Sequence, residues 1–192
     1  MKTLLVVAHP RPGSLTHQFA AVFAEAAAVQ GHRFEWADLA AEGFDPAMPV
    51  ADEPDWDDPE RRYSAALQAE MARVERNEAS VLIYPVWWWS MPALLKGWID
   101  RVWNHGWAYG GDRRFPQRRV WSIGLAGSDA ATFVKRGYDE AMRVQIEVGI
   151  LQYCGVAETR HELVYGLLDG EEAVAAGLRR AQELGALYRG AI

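Results

Sequence analysis

The stretch Ala79–Trp103, ASVLIYPVWWWSMPALLKGWIDRVW, decides how this chain folds. Its first part, Ser80–Val86, is apolar and β-branched and stops at turn chemistry, which reads as a buried strand. Its last part, from Pro92 to Trp103, has helical character. Pro92 sits at the start of that helix, where a missing N–H costs little. Between them stand Trp87, Trp88 and Trp89, three tryptophans in a row flanked by Pro85 and Pro92. The segment Ala79–Leu95 carries no charge, but it is shorter than the roughly 20 residues a spanning helix needs, and two prolines break it. It is read as buried strand, loop and helix start.

Working outward, the same alternation recurs. Lys2–Pro10 is a first strand ending at His9-Pro10, followed by a turn of Pro, Gly and Ser and a helix bearing Phe19, Val22, Phe23 and Ala26, with Gly31 as its stop. Arg33–Leu39 is a second strand. Glu42–Pro59 is an acidic excursion with Pro46, Pro49, Pro54 and Pro59, read either as a solvated loop or as a segment crossing to a partner. Glu60–Glu78 is helical, with Leu67, Met71 and Val74 on one side. Arg118–Gly127 is a fourth strand running into a loop. Ala141–Tyr153 is helical, Ala157–Gly166 holds a fifth strand, and Glu171–Arg189 is a final amphipathic helix. Strands alternating with helices predict one α/β domain over 1–192, a parallel sheet with helices on both faces.

Composition narrows the function. The 192 residues are half hydrophobic and carry a formal net charge of -6, which disfavours nucleic acid and anionic membrane surfaces as partners. The single cysteine, Cys154, allows no intramolecular disulfide and no Cys-rich metal site, and fits a reducing, cytoplasmic setting. No signal peptide is visible, because Pro10 and Pro12 interrupt the first apolar run. No pair among His9, His17, His32, His105 and His161 has the i, i+4 spacing of a helical ligand pair, so no metal is expected.

Ligands of open parallel sheets bind beyond the C-terminal strand ends. Three such ends are unusual here. After the first strand, Gly13, Ser14 and Thr16 stand at a helix start, which suits a phosphate; Ser14 as a plain N-cap is the competing account. After the third, at least one of the three tryptophans faces the crevice, because successive side chains of an extended run diverge. After the fourth, Gly124–Ser128 (GLAGS) is small enough for close backbone approach. Phosphate, flat ring and close backbone together describe a flavin, which would supply redox chemistry that no side chain here has.

The residues carrying this pattern resemble a known family. YPVWWWSMPALLKGWIDRVW followed by GWAYG (Gly106–Gly110), AHPRPGSLT in the first loop, SIGLAGS in the third and GILQYCGV near the end are similar to the NAD(P)H:quinone oxidoreductases of flavodoxin-like fold. These include the vertebrate quinone reductases, the bacterial modulator of drug activity and the flavoprotein ancillary subunits of potassium efflux systems. The resemblance implies a three-layer fold with five parallel strands in the order 2-1-3-4-5. It implies that His9, Ser14, Leu15 and Thr16 hold the phosphate and ribityl of FMN or FAD. Pro85, Val86, Trp87, Trp88 and Trp89 would contact the ring, and Gly124, Leu125, Ala126 and Gly127 its edge. The third loop departs from the family pattern, which more often has Thr or Ser and paired glycines.

The resemblance further implies that Trp107 and Tyr109 reach the substrate pocket of a partner subunit in a homodimer with shared sites. Tyr138 falls near a family histidine beside the hydride site, which makes it the candidate catalytic side chain. The activity implied is hydride transfer from NADH or NADPH through the flavin to a quinone-like acceptor. The alternative is a regulatory flavoprotein of a potassium efflux system; a one-electron flavodoxin is disfavoured by the MPALLKGWIDRV helix. The aromatic surplus points the same way as the dimer. Trp98 and Trp103 are five apart and do not share a helix face, so one is expected to pack inward and the other against a different surface.

Overall fold

The structure is a computed structural model and describes residues 1–58 and 60–189. Five parallel strands are ordered β2-β1-β3-β4-β5. They are β1 (Lys2–Val7), β2 (Arg33–Asp38), β3 (Ala79–Pro85), β4 (Arg119–Leu125) and β5 (Glu158–Val164). Helices α1 (Leu15–Ala28), α2 (Ala65–Glu75), α3 (Ala93–Val102), α4 (Ala130–Arg136), α5 (Tyr138–Arg143) and α6 (Glu171–Leu187) connect and cover them. The expected order and the layering of helices on both faces are present.

Alternation along the strands creates the layers. Leu4, Val6, Leu82 and Tyr84 point to one face, where they pack with Leu67 and Met71 of α2, Leu95 and Trp98 of α3 and Met142 of α5. Leu5, Val7, Val81 and Ile83 point to the other, against Phe19 and Phe23 of α1 and Ala181 and Leu184 of α6. The central strands are therefore buried on both sides, as parallel sheets require. Gly185 lets α6 cross α1 closely, since a Cβ there would strike the Phe23 carbonyl. The register sets Val7 beside Ile83 and Ile83 beside Ile123, so the loops after β1, β3 and β4 emerge side by side. Chain order reverses between β1 and β3, the switch point at which such sheets open a crevice.

Three details differ from the sequence reading. A short helix, α4, follows β4 where only a loop was expected; Asp129 caps it by accepting the Thr132 N–H at 2.7 Å. The helical stretch Ala141–Tyr153 is α5 continued by a wider π-helical segment, Val144–Gln152. Trp98 and Trp103 both pack inward. Trp98 is fully buried and donates Nε1–H to Glu70 at 2.8 Å, and Trp103 stacks on Phe115 at 3.7 Å. Because α3 ends at Val102, Trp103 leaves the helical face and turns back into the core. The most exposed aromatic rings among the described residues are instead Trp56, Trp88 and Tyr153.

The acidic excursion is anchored to its own chain. Its single-turn helix Val50–Asp52 delivers Asp52 into the interior at 0 % exposure. There Asp52 accepts from Arg101 Nη2 at 2.8 Å and from the Ser64 N–H and hydroxyl at 2.8 and 3.0 Å. The Asn104 side chain donates to the Asp52 carbonyl at 2.7 Å, and Arg101 also donates to the Asp45 carbonyl. Pro46 rests on Gly97 of α3, where any Cβ would collide with it. A buried carboxylate is tolerated because guanidinium, hydroxyl and backbone N–H together replace its water. Pro59, the last residue of the expected excursion, lies outside the described residues.

Candidate functional site

A cleft of about 460 Å³ opens over the C-terminal ends of β1, β3 and β4. Of the residues singled out in the sequence, His9, Leu15, Thr16, Pro85, Val86, Trp87, Trp88, Trp89, Leu125, Ala126 and Gly127 line it. Ser14 and Gly124 lie behind its wall. Ser128, the last residue of the GLAGS loop, lines it too, and so do Arg11, Phe133, Leu167 and Leu168, which were missed. Leu167 and Leu168 follow β5, and only the sheet order brings that loop alongside the others.

The first loop meets α1 at Ser14. An N-cap serine ordinarily accepts a hydrogen bond from the first turn, but this one does not. Its Oγ lies 2.8 Å from His17 Nδ1, and His17 Nε2 lies 2.9 Å from Asp38 Oδ2 at the end of β2. Asp38 Oδ1 accepts the Ala41 N–H at 3.1 Å, which fixes the carboxylate. Leu15 and Thr16 in the first turn of α1 thus line the cleft beside a serine held from behind. His17 and Asp38 were not singled out in the sequence; the spacing of Ser14 and His17 on one helical turn was the available signal. His9 accepts the Arg11 N–H at Nδ1, 3.0 Å away. Burial, with Arg11 and His17 nearby, holds the His9 pKa below its ordinary value.

The tryptophan loop is a two-residue reverse turn. Trp87 and Ser90 exchange N–H···O bonds of 3.0 and 3.1 Å. The two residues between them, Trp88 and Trp89, have φ of 49° and 57°. Such a turn favours Asn-Gly, and a bulky side chain in the left-handed region is strained. Strain of this kind gathers at functional sites. The turn sends its three rings apart. Trp87 lies edge-on to His9 at 6.1 Å, Trp88 is 93 % exposed, and Trp89 stacks on Tyr138 at 3.9 Å with its edge to Phe133 at 5.4 Å. Ser90 donates its hydroxyl to Gln145 at 2.9 Å, tying the turn to the π-helical segment.

The third loop is narrower than its glycines suggest. A Cβ at Gly124 would lie 2.9 Å from both Leu163 and Val86, and one at Gly127 would lie 2.6 Å from Leu168. Both glycines admit neighbouring side chains. The Ala126 N–H is taken by the Val164 carbonyl at 2.7 Å, so it is not available to a ligand. Tyr138 does not line the cleft; it packs behind Trp89 and Phe133, which do. Trp107 and Tyr109 do not line it. The Trp107 ring donates to Glu75 at 2.7 Å, and Tyr109 packs near Trp56, His105 and Tyr153. Among the described residues no helix is long and apolar enough to cross a membrane, and no cluster of three metal-ligating side chains occurs.

Known proteins share this architecture. The family model described as flavodoxin-like fold matches residues 1–186. The chain is 34 % identical over 174 residues to the uncharacterized NAD(P)H oxidoreductase YcaK of Escherichia coli, covering 90 % of this chain and 88 % of that one. It is 26 % identical over 190 residues to NAD(P)H dehydrogenase (quinone) 1 of Cavia porcellus, covering 86 % and 69 %. Among solved structures, the NAD(P)H:quinone oxidoreductase of Methanothermobacter marburgensis superposes with a TM-score of 0.89 at 27 % identity, covering 100 % of this chain and 98 % of that one.

Proposed function

We propose that this chain, which belongs to the flavodoxin-like family, is a flavin-dependent NAD(P)H oxidoreductase that delivers two electrons to a quinone or similar acceptor. The observation that supports it best is the cleft at the β1–β3 switch point, with the N-terminus of α1 at one end and the strained tryptophan turn at the other. Its volume is that of a small-molecule site. Its lining fits FMN or FAD: the helix start at Leu15 and Thr16, beside the buried Ser14, for a phosphate, and apolar walls from Val86, Trp87, Leu125 and Leu168 for a ring. When bound, the flavin supplies reversible two-electron chemistry that no side chain in this chain can perform.

The protein's part is position and exclusion of water. Trp87 and His9 wall one side; a largely neutral His9 adds no cation there. Trp89 is held by Tyr138 and Phe133, which makes Tyr138 a positioning residue in this reading. Electron donor and acceptor use the same aromatic space in turn. In this reading Trp107 and Tyr109 enter a partner's site in a homodimer, joined in part through the exposed Trp56 and Tyr153 beside the half-buried Tyr109.

The test is flavin titration of the purified protein. Tryptophan proximity should quench the flavin fluorescence on binding, and steady-state lines at several quinone concentrations should be parallel. A protein that binds neither FMN nor FAD at micromolar concentration ends this reading. Light scattering tests the assembly: a 21.5 kDa monomer with full turnover would exclude the shared site.

A further inference from the structure

We propose that His17 is a positioning residue that couples capture of the flavin phosphate to uptake of one proton. The inference rests on the flavin reading above, and it follows from counting hydrogens along Ser14, His17 and Asp38. The Asp38 carboxylate has no hydrogen to give, so the 2.9 Å contact requires the proton on His17 Nε2. A neutral His17 then has a bare Nδ1. At 2.8 Å that nitrogen must accept the Ser14 hydroxyl hydrogen. Ser14 would then present only lone pairs toward the α1 N-terminus, which repel a phosphate.

Protonating Nδ1 reverses the arrangement. The imidazolium donates to Ser14 Oγ, and the freed hydroxyl hydrogen turns to a phosphate oxygen. The proton comes from solvent, no covalent bond to phosphorus changes, and the positive charge lies between Asp38 and the bound dianion. This also accounts for the N-cap serine that does not cap its helix: its side chain is held back by His17. The groups facing His17 are Ser14 at the N-cap of its helix, Asp38 from the end of β2, and His9 from the loop after β1. The His9 ring lies 6.3 Å away, edge-on.

The experiment is calorimetric titration of FMN into the flavin-free full-length protein, in buffers of different ionisation heat, from about pH 5 to about pH 8. Riboflavin, which has no phosphate, is titrated alongside, as is the variant His17→Gln. FMN's own phosphate titrates near pH ~6, and the variant removes that contribution by subtraction. Native protein should take up as much as one proton more than His17→Gln on binding FMN. Its FMN affinity should fall by up to about tenfold per pH unit across the window, the limit for one linked proton. Riboflavin binding should show neither effect.

Equal proton counts for the two proteins at every pH would overturn the proposal while leaving flavin binding intact. Failure to bind either FMN or riboflavin would overturn the flavin reading and this inference with it. If His17→Gln does not fold, the native FMN-minus-riboflavin proton count, corrected by a separate titration of free FMN, decides alone: a count of zero or net release at every pH refutes it.

Discussion

Trp88 offers a prediction in which stability and function should move in opposite directions. It occupies the first central position of a turn whose two central residues have φ of 49° and 57°. A non-glycine residue in that region costs roughly 1–3 kcal/mol, and asparagine is among the side chains that tolerate it best. At 93 % exposure Trp88 returns little packing for that cost. Trp88→Asn should therefore stabilise the flavin-free protein by about 0.5–1 kcal/mol, the portion of the strain that asparagine relieves. For a chain of this length, 1 kcal/mol is roughly 2–4 °C in Tm. Trp89→Gly provides the contrast. It relieves strain at the next residue but forfeits the stack on Tyr138 and the edge contact with Phe133, aromatic pairs worth about 0.5–1.5 kcal/mol each beyond their buried area. It should destabilise. Thermal unfolding followed by circular dichroism reads both, and flavin titration of the same samples should show weaker binding for each. A Tm for Trp88→Asn below that of the native protein would refute the claim that the turn is strained for the sake of the ring it presents.

Three further outcomes are expected. Asp52→Ala should cost about 3–5 kcal/mol in urea unfolding, because it strands Arg101 in the interior; a loss under about 1 kcal/mol would contradict the anchoring role given to this pair. Burial lowers the His161 pKa from 6.5 to about 4, so the unfolded chain binds its proton first. Stability from this source is complete above pH 6.5 and is lost as pH falls toward 4, by as much as about 3 kcal/mol. Unfolding midpoints measured down that range should fall, and His161→Gln should flatten the fall; parallel profiles would disprove the assignment. Burial pushes the Cys154 thiol up to about 11, which keeps it protonated and inert. Cys154→Ala should retain most flavin-dependent turnover, and loss of turnover with flavin still bound would give this thiol a role in the chemistry.

Much of the architecture was legible because burial leaves a local imprint. β1 and β3 are sandwiched between helices, so they read as unbroken apolar runs, and Leu67, Met71 and Val74 mark the buried side of α2 by spacing alone. The run from Ala79 to Trp103 contains strand, turn and helix in one piece, so the tryptophan loop could be placed at a strand end without any coordinates. Most of the residues named for that cleft do line it. What stayed hidden depends on register and closure. Asp38 meets His17 because β2 lies beside β1 with Asp38 opposite Val7, a pairing that local spacing does not encode. The inward turn of Trp103 follows from where α3 ends. The left-handed turn at Trp88 and Trp89 contradicts their intrinsic preference, so no propensity could announce it; the Trp87–Ser90 pairing sets that backbone. Asp52, in an acidic proline-rich stretch, reads as a solvent-facing charge, yet Arg101 lies 49 residues away and draws it to the interior. Periodicity along the chain determined which segments became strands and helices. The tertiary structure alone decided which distant polar groups meet, because a buried charge or hydroxyl is satisfied by partners that only the closed fold brings within reach.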